Sequence, residues 1–358
     1  MISLTLKQTI KRNLFGIITV LLSAIILLVF LFASDGIASL QEIGPSLSVS
    51  WLLLAIGLSA STWVLEGLTL NLFCKILCPQ WTFRYSLDIG LLGILYSALT
   101  PFSTGGQPMQ IFYMKRLGMD VGKSGSIIAM KTLVYQVIMV LSALLMVVMR
   151  LGFFQREVSN FSFVTVIGVL SNSTFIALLL LFTISRKGTE KVLKKGLYFL
   201  NRIHLCKNPE ERYHRINDQL MLFHNGARIM GKKRRVYIAG SLLTIVQIFV
   251  GYLVPYCLYR SFGFSGQDVL TIMAAQAFVT MISAFVPLPG ASGGAEGSFY
   301  LFFSMFFTGG TIVPAMVLWR AITYYMNIAA GAVAAGFVDK LTPIVDENPL
   351  HHDQKKEE

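Results

Sequence analysis

Charge is what this sequence has least of. Only 13% of its 358 residues are Asp, Glu, Lys or Arg, against 54% hydrophobic. A soluble domain of that size needs far more polar surface, so a water-soluble fold is excluded. Cysteine is scarce as well. Cys74, Cys78, Cys206 and Cys257 do not make a disulfide framework, and Cys74-x-x-x-Cys78 lacks the second pair that a zinc site needs. His204, His214 and His224 recur at ten-residue spacing inside a basic segment. That is not ligand spacing on a helix, so they read as solvated surface and no metal is expected. The chain has no P-loop, no nucleophile elbow, no His-rich transmembrane motif and no paired Asp cluster. No catalytic residue is therefore assigned, and no cofactor is expected.

What the chain does have is long apolar runs. Runs near twenty residues cross a bilayer as helices, because a helix satisfies its own backbone, and these are too long for barrel strands. The expectation is an all-α polytopic membrane protein. The formal charge of +12 then speaks to orientation and lipid headgroups, with Lys and Arg collecting in the cytoplasm, and not to nucleic acid. Lys7, Lys11 and Arg12 precede the uncharged run Phe15 to Ala33, which starts the first span inside. Asp35 to Ser48 carries two acids and no Lys or Arg, as an outside loop does. Further spans are expected at Val49 to Leu72, Tyr85 to Thr100, Ser124 to Met149, Phe161 to Ser185, Val236 to Tyr259, Val269 to Pro287 and Thr311 to Val338. Between Ser185 and Arg235 stand fourteen Lys or Arg against four Asp or Glu. That loop is placed in the cytoplasm, with an amphipathic helix, as in Lys191 to Leu200, on the anionic membrane surface.

Two stretches do not suit a helix. Pro287-Leu-Pro-Gly-Ala-Ser-Gly-Gly-Ala-Glu-Gly-Ser-Phe-Tyr300 and Ser97-Ala-Leu-Thr-Pro-Phe-Ser-Thr-Gly-Gly-Gln-Pro-Met-Gln-Ile-Phe-Tyr113 interrupt apolar sequence with Pro and Gly. They are collinear with their surroundings. Pro101 and Pro287 are 186 apart, Gly106 and Gly294 are 188, Lys131 and Arg320 are 189, and the runs at Val49 and Val236 are 187. Paired, interrupted hydrophobic segments mark an internal repeat and a transporter-type site. Gln107 to Leu117 and Ala295 to Phe307 follow as short re-entrant or broken half-helices. By span parity the two repeats enter from opposite faces, giving an inverted topology. The chain divides into 1–14, a cytoplasmic N-terminus; 15–48, the first span and outside loop; 49–185, repeat 1; 186–235, the basic loop; 236–340, repeat 2; and 341–358, a cytoplasmic tail.

Charges inside spans are costly, so Glu66, Lys131, Glu296 and Arg320 are expected to face a polar cavity or one another. In the structural reading Arg320 pairs with Glu296 or with free carbonyls of the breaks. In the functional reading Lys131 and Arg320 hold a lipid phosphate, Arg as a fork and Lys as a point charge. The half-helix starts Gly105-Gly106-Gln107 and Gly293-Gly294-Ala295 add backbone amides for the same anion. Glu296 caps amides or meets a cationic amine, and Gln110 is a neutral partner.

At Pro101-x-x-x-Gly-Gly-x-Pro, Pro287-x-Pro-Gly-x-x-Gly-Gly-x-Glu and Arg320-x-x-Thr-Tyr-Tyr325 the chain resembles the lysylphosphatidylglycerol synthase transmembrane family. That is the membrane half of the multiple peptide resistance factor and of stand-alone flippase-like proteins. The resemblance covers roughly Lys11 to Lys340. It implies a flippase in the cell membrane for an aminoacylated or other polar-headed phospholipid such as lysylphosphatidylglycerol, and a role in resistance to cationic antimicrobial peptides. With no nucleotide motif, such transport is passive or driven by an ion gradient. Alternatives are phosphatidylglycerol lysyltransfer and a scaffold for a lipid-modifying enzyme. The first is disfavoured because only eighteen residues follow Lys340, where the aminoacyl-tRNA-dependent soluble domain is expected. A homo-oligomer is also open.

Overall fold

The computed structural model describes residue 25 and residues 44–157, 161–202, 209–284, 286–308, 310–338 and 341–343. Apart from residue 25, the expected first span at Phe15 to Ala33 lies outside the described residues, as do His204, Cys206 and nearly all of the tail. Among these residues all regular structure is helical. The helices are α1 (Val49–Leu77), α2 (Phe83–Leu99), α3 (Gly106–Arg116), α4 (Val121–Glu157), α5 (Phe161–Ile184), α6 (Arg186–Arg202), α7 (Pro209–Gly231), α8 (Arg234–Ser261), α9 (Val269–Ser283), α10 (Gly294–Phe303) and α11 (Ile312–Val338). The last contains a π turn at Ala321–Tyr325. This is an all-α polytopic membrane fold.

Helices α1, α4, α8 and α11 are long and apolar enough to cross a membrane, at 29, 37, 28 and 27 residues. The most extensive packing joins α1 to α8, the first helices of the two repeats. They run antiparallel along their whole length. Ser48 N–H donates to the Ser261 carbonyl at 2.9 Å where α1 begins and α8 ends. Trp51 meets Tyr256 edge-on at 6.2 Å, and at the other end Phe73 meets Tyr237 at 5.6 Å. Antiparallel first helices are what an inverted repeat requires.

Two expected spans change character. Helices α2 and α9 have 17 and 15 residues, or about 25 and 22 Å, short of a hydrocarbon core of about 30 Å. Each packs against the short helix that follows its break, α3 or α10, as one limb of a helical hairpin. The chain opens where proline dictates. Thr100, before Pro101, is extended (φ −120°, ψ 148°), and so is Leu288, before Pro289 (φ −107°, ψ 146°). Each then makes one 3-10 turn, Pro101–Ser103 and Pro289–Ala291, and these two turns pack against each other. The return limbs α3 and α10, of 11 and 10 residues, measure about 16 and 15 Å. The two hairpins thus meet at their tips.

A ten-residue helix is marginal alone. Helix α10 is held by an aromatic cluster, with Phe299 stacked on Phe303 at 4.3 Å and on Trp319 at 4.7 Å, and Phe302 on Phe278 at 5.2 Å. Phe154 of α4 joins it at 5.2 Å from Phe278, beyond a kink at Arg150 (φ −127°, ψ 17°).

The basic segment differs from a loop with one surface helix. It forms two helices, α6 and α7. Helix α6 turns 101° away from α5, while α7 packs on α4, where Gly122 N–H donates to Gln219 Oε1 at 2.9 Å. His224, expected as solvated surface, is half-buried with Nδ1 on the Thr183 carbonyl at 3.2 Å. Phe223 and Met230, apolar and regularly spaced with it, carry α7 onto the bundle and take His224 along.

Candidate functional site

The second break is organised by one carboxylate. Glu296 lies in the first turn of α10 with no exposed surface. Its Oε1 accepts from Arg320 Nε at 2.7 Å and its Oε2 from the Gly293 amide at 2.7 Å. Arg320, 4% exposed, also donates from Nη2 to the Gly290 carbonyl at 3.2 Å. The guanidinium sits over the rings of Trp319 and Tyr324 at 5.3 and 4.9 Å. Both charges are desolvated and both are hydrogen-bonded, the condition under which a buried pair is tolerated. Gly290 makes the turn possible, since its φ is +62° and a Cβ there would overlap the Tyr324 ring.

Lys131, the counterpart of Arg320 in repeat 1, takes a different partner. It is ion-paired with Glu66 of α1, and the two side chains are 12% and 11% exposed. The second Glu66 oxygen faces Gln247 of α8 at 3.5 Å, and the same Gln247 amide lies 3.4 Å from the Thr62 carbonyl. Helix α2 approaches closely here, because Gly90 leaves room for the Glu66 stem: a Cβ at Gly90 would stand 3.2 Å from Glu66 Cγ. This pair therefore sits on the seam between the two repeats.

The glycine starts are placed as expected but are capped from within. Gly105 N–H donates to Thr100 Oγ1 at 2.8 Å; the Gly293 amide is held by Glu296, as above. Gly106 and Gly294 begin α3 and α10. Gln107 is half-buried in the first turn of α3, and Gln110 is buried, donating back to the Ile89 carbonyl of α2 at 3.4 Å. The turns carrying these starts are neighbours. Lys131 and Arg320 do not share a partner, so an incoming anion has to compete with Glu66 or Glu296.

Sequence reasoning singled out Glu66 but missed the rest of the polar face of α1. Ser59, Thr62, Trp63 and Glu66 recur at helical spacing and reach three other helices. Ser59 Oγ donates to the Ile322 carbonyl at 3.1 Å, inside the π turn that follows Arg320. Trp63 Nε1 donates to Asn327 Oδ1 at 2.6 Å, and Tyr324 OH to the Ala98 carbonyl at the first break at 3.2 Å. The signal was present in the i, i+3, i+7 pattern Ser59, Thr62, Glu66, and in Gln247 standing alone in an apolar run. Among the described residues no group of His, Cys, Asp and Glu is arranged to hold a metal.

Membrane proteins of archaea share this chain's sequence over most of its length. A UPF0104 membrane protein of Archaeoglobus fulgidus is 25% identical over 296 residues, which is 80% of this chain and 87% of that protein. Another, from Methanothermobacter thermautotrophicus, is 24% identical over 288 residues, 76% and 82% of the two chains. The sequence model of one family, described as the lysylphosphatidylglycerol synthase TM region, matches residues 16–331. With an all-helical membrane fold and both broken hairpins inside that match, the chain belongs to the lysylphosphatidylglycerol synthase TM region family.

Proposed function

We propose that this chain is a lipid translocase of the cell membrane that moves a polar-headed glycerophospholipid, such as lysylphosphatidylglycerol or another anionic or aminoacylated lipid, between leaflets. The observation that carries the reading is the contact between the turns Pro101–Ser103 and Pro289–Ala291. Two hairpins meeting at their tips, with Gly-rich helix starts and an ion pair at the second break, would supply polar groups where the bilayer offers none. A headgroup phosphate entering this region can exchange onto Lys131, and an amine onto Glu66, so that pair serves as a ready-made counter-ion, while the Glu296–Arg320 pair holds the second break in shape. Exposed apolar side chains at the tips, Phe102 at 51% and Leu288 at 41%, face the lipid from which acyl chains would approach.

The basic helix α6 fits a cytoplasmic position for residues 186–235 and for both termini. It lies at 101° to the span before it. A surface groove of about 550 Å³ is lined by Lys187, Glu190, Lys191, Lys194, Lys195 and Tyr198, and Val192 is 70% exposed beside it. Lysines above an apolar side chain suit the headgroup boundary of an anionic leaflet. Moving a cationic lipid to the outer leaflet would lower the surface's attraction for cationic peptides, which is the route to peptide resistance.

The test is reconstitution of the purified chain in vesicles carrying fluorescent phosphatidylglycerol or lysylphosphatidylglycerol, with dithionite reading the fraction in the outer leaflet. Movement well above that of empty vesicles is expected. Movement no faster than in empty vesicles overturns the reading.

A further inference from the structure

The two ion pairs are built for different purposes. The Glu296–Arg320 pair is closed. Both carboxylate oxygens are occupied, by Arg320 at 2.7 Å and the Gly293 amide at 2.7 Å, its side chains are 5% and 0% exposed, and all its members belong to repeat 2. Its cation is an arginine, which does not give up its proton. The Glu66–Lys131 pair is open. Its cation is a lysine, its side chains are 12% and 11% exposed, and the second Glu66 oxygen is met at 3.5 Å by Gln247 from the other repeat. Among the described residues no ion pair other than that with Lys131 is formed by Glu66; α7 and the π turn of α11 also pack on α1, the latter through the Ile322 carbonyl, which accepts from Ser59. Helix α4 presents Lys131 and, one turn on, Tyr135, which lies within the field of Glu66; α8 presents neutral Gln247; α2 presents the backbone at Gly90. Cys74, two turns along α1, lies within the field of Lys131.

We infer that Glu66 is a proton-coupling carboxylate: when an anionic headgroup takes Lys131, Glu66 loses its counter-ion and binds one proton from water. The inference rests on the translocase reading. The step balances. Before loading, Glu66⁻ and Lys131⁺ neutralise each other. After loading, the phosphodiester anion pairs with Lys131⁺ and Glu66 is a neutral acid, one proton having left the water on the loading side. A bare carboxylate in this interior is far costlier than a protonated one, which sets the direction. On unloading, Lys131 returns to Glu66 and the proton departs on the receiving side. The seam between α1 and α8 is where movement of one repeat against the other changes the side from which the pair is reached. Lipid and proton therefore travel together, and an anionic lipid moves without net charge transfer.

Two measurements decide this. In vesicles holding the wild-type chain and fluorescent phosphatidylglycerol, a gradient of one pH unit should move the steady-state leaflet ratio toward the less acidic side. The limit is about tenfold for one proton per lipid. A ratio indifferent to the gradient, with movement intact, overturns the coupling and leaves the translocase reading standing. Absence of any movement defeats the translocase reading, and the second measurement then decides the proton's fate. Dihexanoyl phosphatidylglycerol is titrated calorimetrically into the detergent-solubilised protein, in two buffers of different ionisation enthalpy. Uptake of about one proton per ligand is expected for wild type, together with a protonated-carboxyl stretch in the infrared difference spectrum that is absent in Glu66→Gln. No proton uptake, no binding, or the same band in Glu66→Gln overturns the proposal.

Discussion

Lys131 and Arg320 stand at corresponding places in the two repeats, 189 residues apart, yet each is neutralised from a different direction. Arg320 takes its carboxylate from the short arm of its own hairpin, and Lys131 takes Glu66 from the helix that joins the repeats. Repeat symmetry supplies the cations, while the carboxylates break it. One break is thereby fastened from within and the other is tied to the seam.

The fastening of the second break predicts a large effect at Arg320. Arg320→Ala leaves Glu296 buried without its cation, a loss of about 3–5 kcal/mol. Arg320→Lys keeps the charge but not the fork that reaches both Glu296 and the Gly290 carbonyl, and should lose about 1–2 kcal/mol. Thermal unfolding of the detergent-purified variants, followed by size-exclusion fluorescence, ranks them. Equal midpoints for both variants would contradict the geometry.

Glycine is required at one position of the second break and not at another nearby. Gly290→Ala places a side chain at φ +62° and against the Tyr324 ring, with an expected loss of about 1–2 kcal/mol from the backbone alone. Gly297, exposed on α10 with open space around it, should accept Ala with an unchanged or slightly raised midpoint.

The link between the repeats through Arg150 and Asp268 should respond to acid. Asp268 caps α9, and its Oδ1 accepts from Arg150 Nη2 at 2.6 Å and from the Thr271 amide at 3.1 Å. Burial works against its ionisation, but the Thr271 hydroxyl, the Arg150 guanidinium and the Thr271 amide outweigh it and hold the carboxyl below its ordinary range. A folded value below the unfolded one, about 3.9, means the contribution is complete above that value and disappears as pH falls through the folded one. Between pH 6 and pH 3 the wild-type midpoint should fall more steeply than that of Asp268→Asn. Parallel slopes would remove this role.

The lysines of α6 should bind anionic lipid in the intact protein. Replacing Lys187, Lys191, Lys194 and Lys195 by Gln removes roughly 1 kcal/mol of membrane attraction per residue at low salt. Phosphatidylglycerol should raise the wild-type unfolding midpoint, less so at high salt, and leave the quadruple variant where it was. A lipid shift that survives the replacement would place the lipid elsewhere.

Much of this was legible because bilayer physics leaves few choices. Glycine and proline in an apolar run have to open a helix, so both breaks were evident from Pro101 to Gly106 and from Pro287 to Gly294. Glu296 and Arg320 were readable as partners because the break brings the α10 start beside α11. The pairing of Glu66 with Lys131 was not, because at the repeat offset of 187 Glu66 meets Leu253, an apolar residue. Only the packing of α1 against α4 and α8 reveals it. The docking of α7 was hidden for a related reason. His224 and Gln219 lie among basic residues, and their burial depends on α4 and α5, far away in sequence.

The two breaks are expected to meet inside the hydrocarbon. With the native cysteines replaced, Phe102→Cys and Leu288→Cys can be labelled singly with bimane, reconstituted, and quenched by lipids carrying nitroxides at graded depths. Both labels should be quenched most by nitroxides near the ends of the acyl chains. Strongest quenching of either label by headgroup-level nitroxides would put that break at the membrane surface and contradict the account.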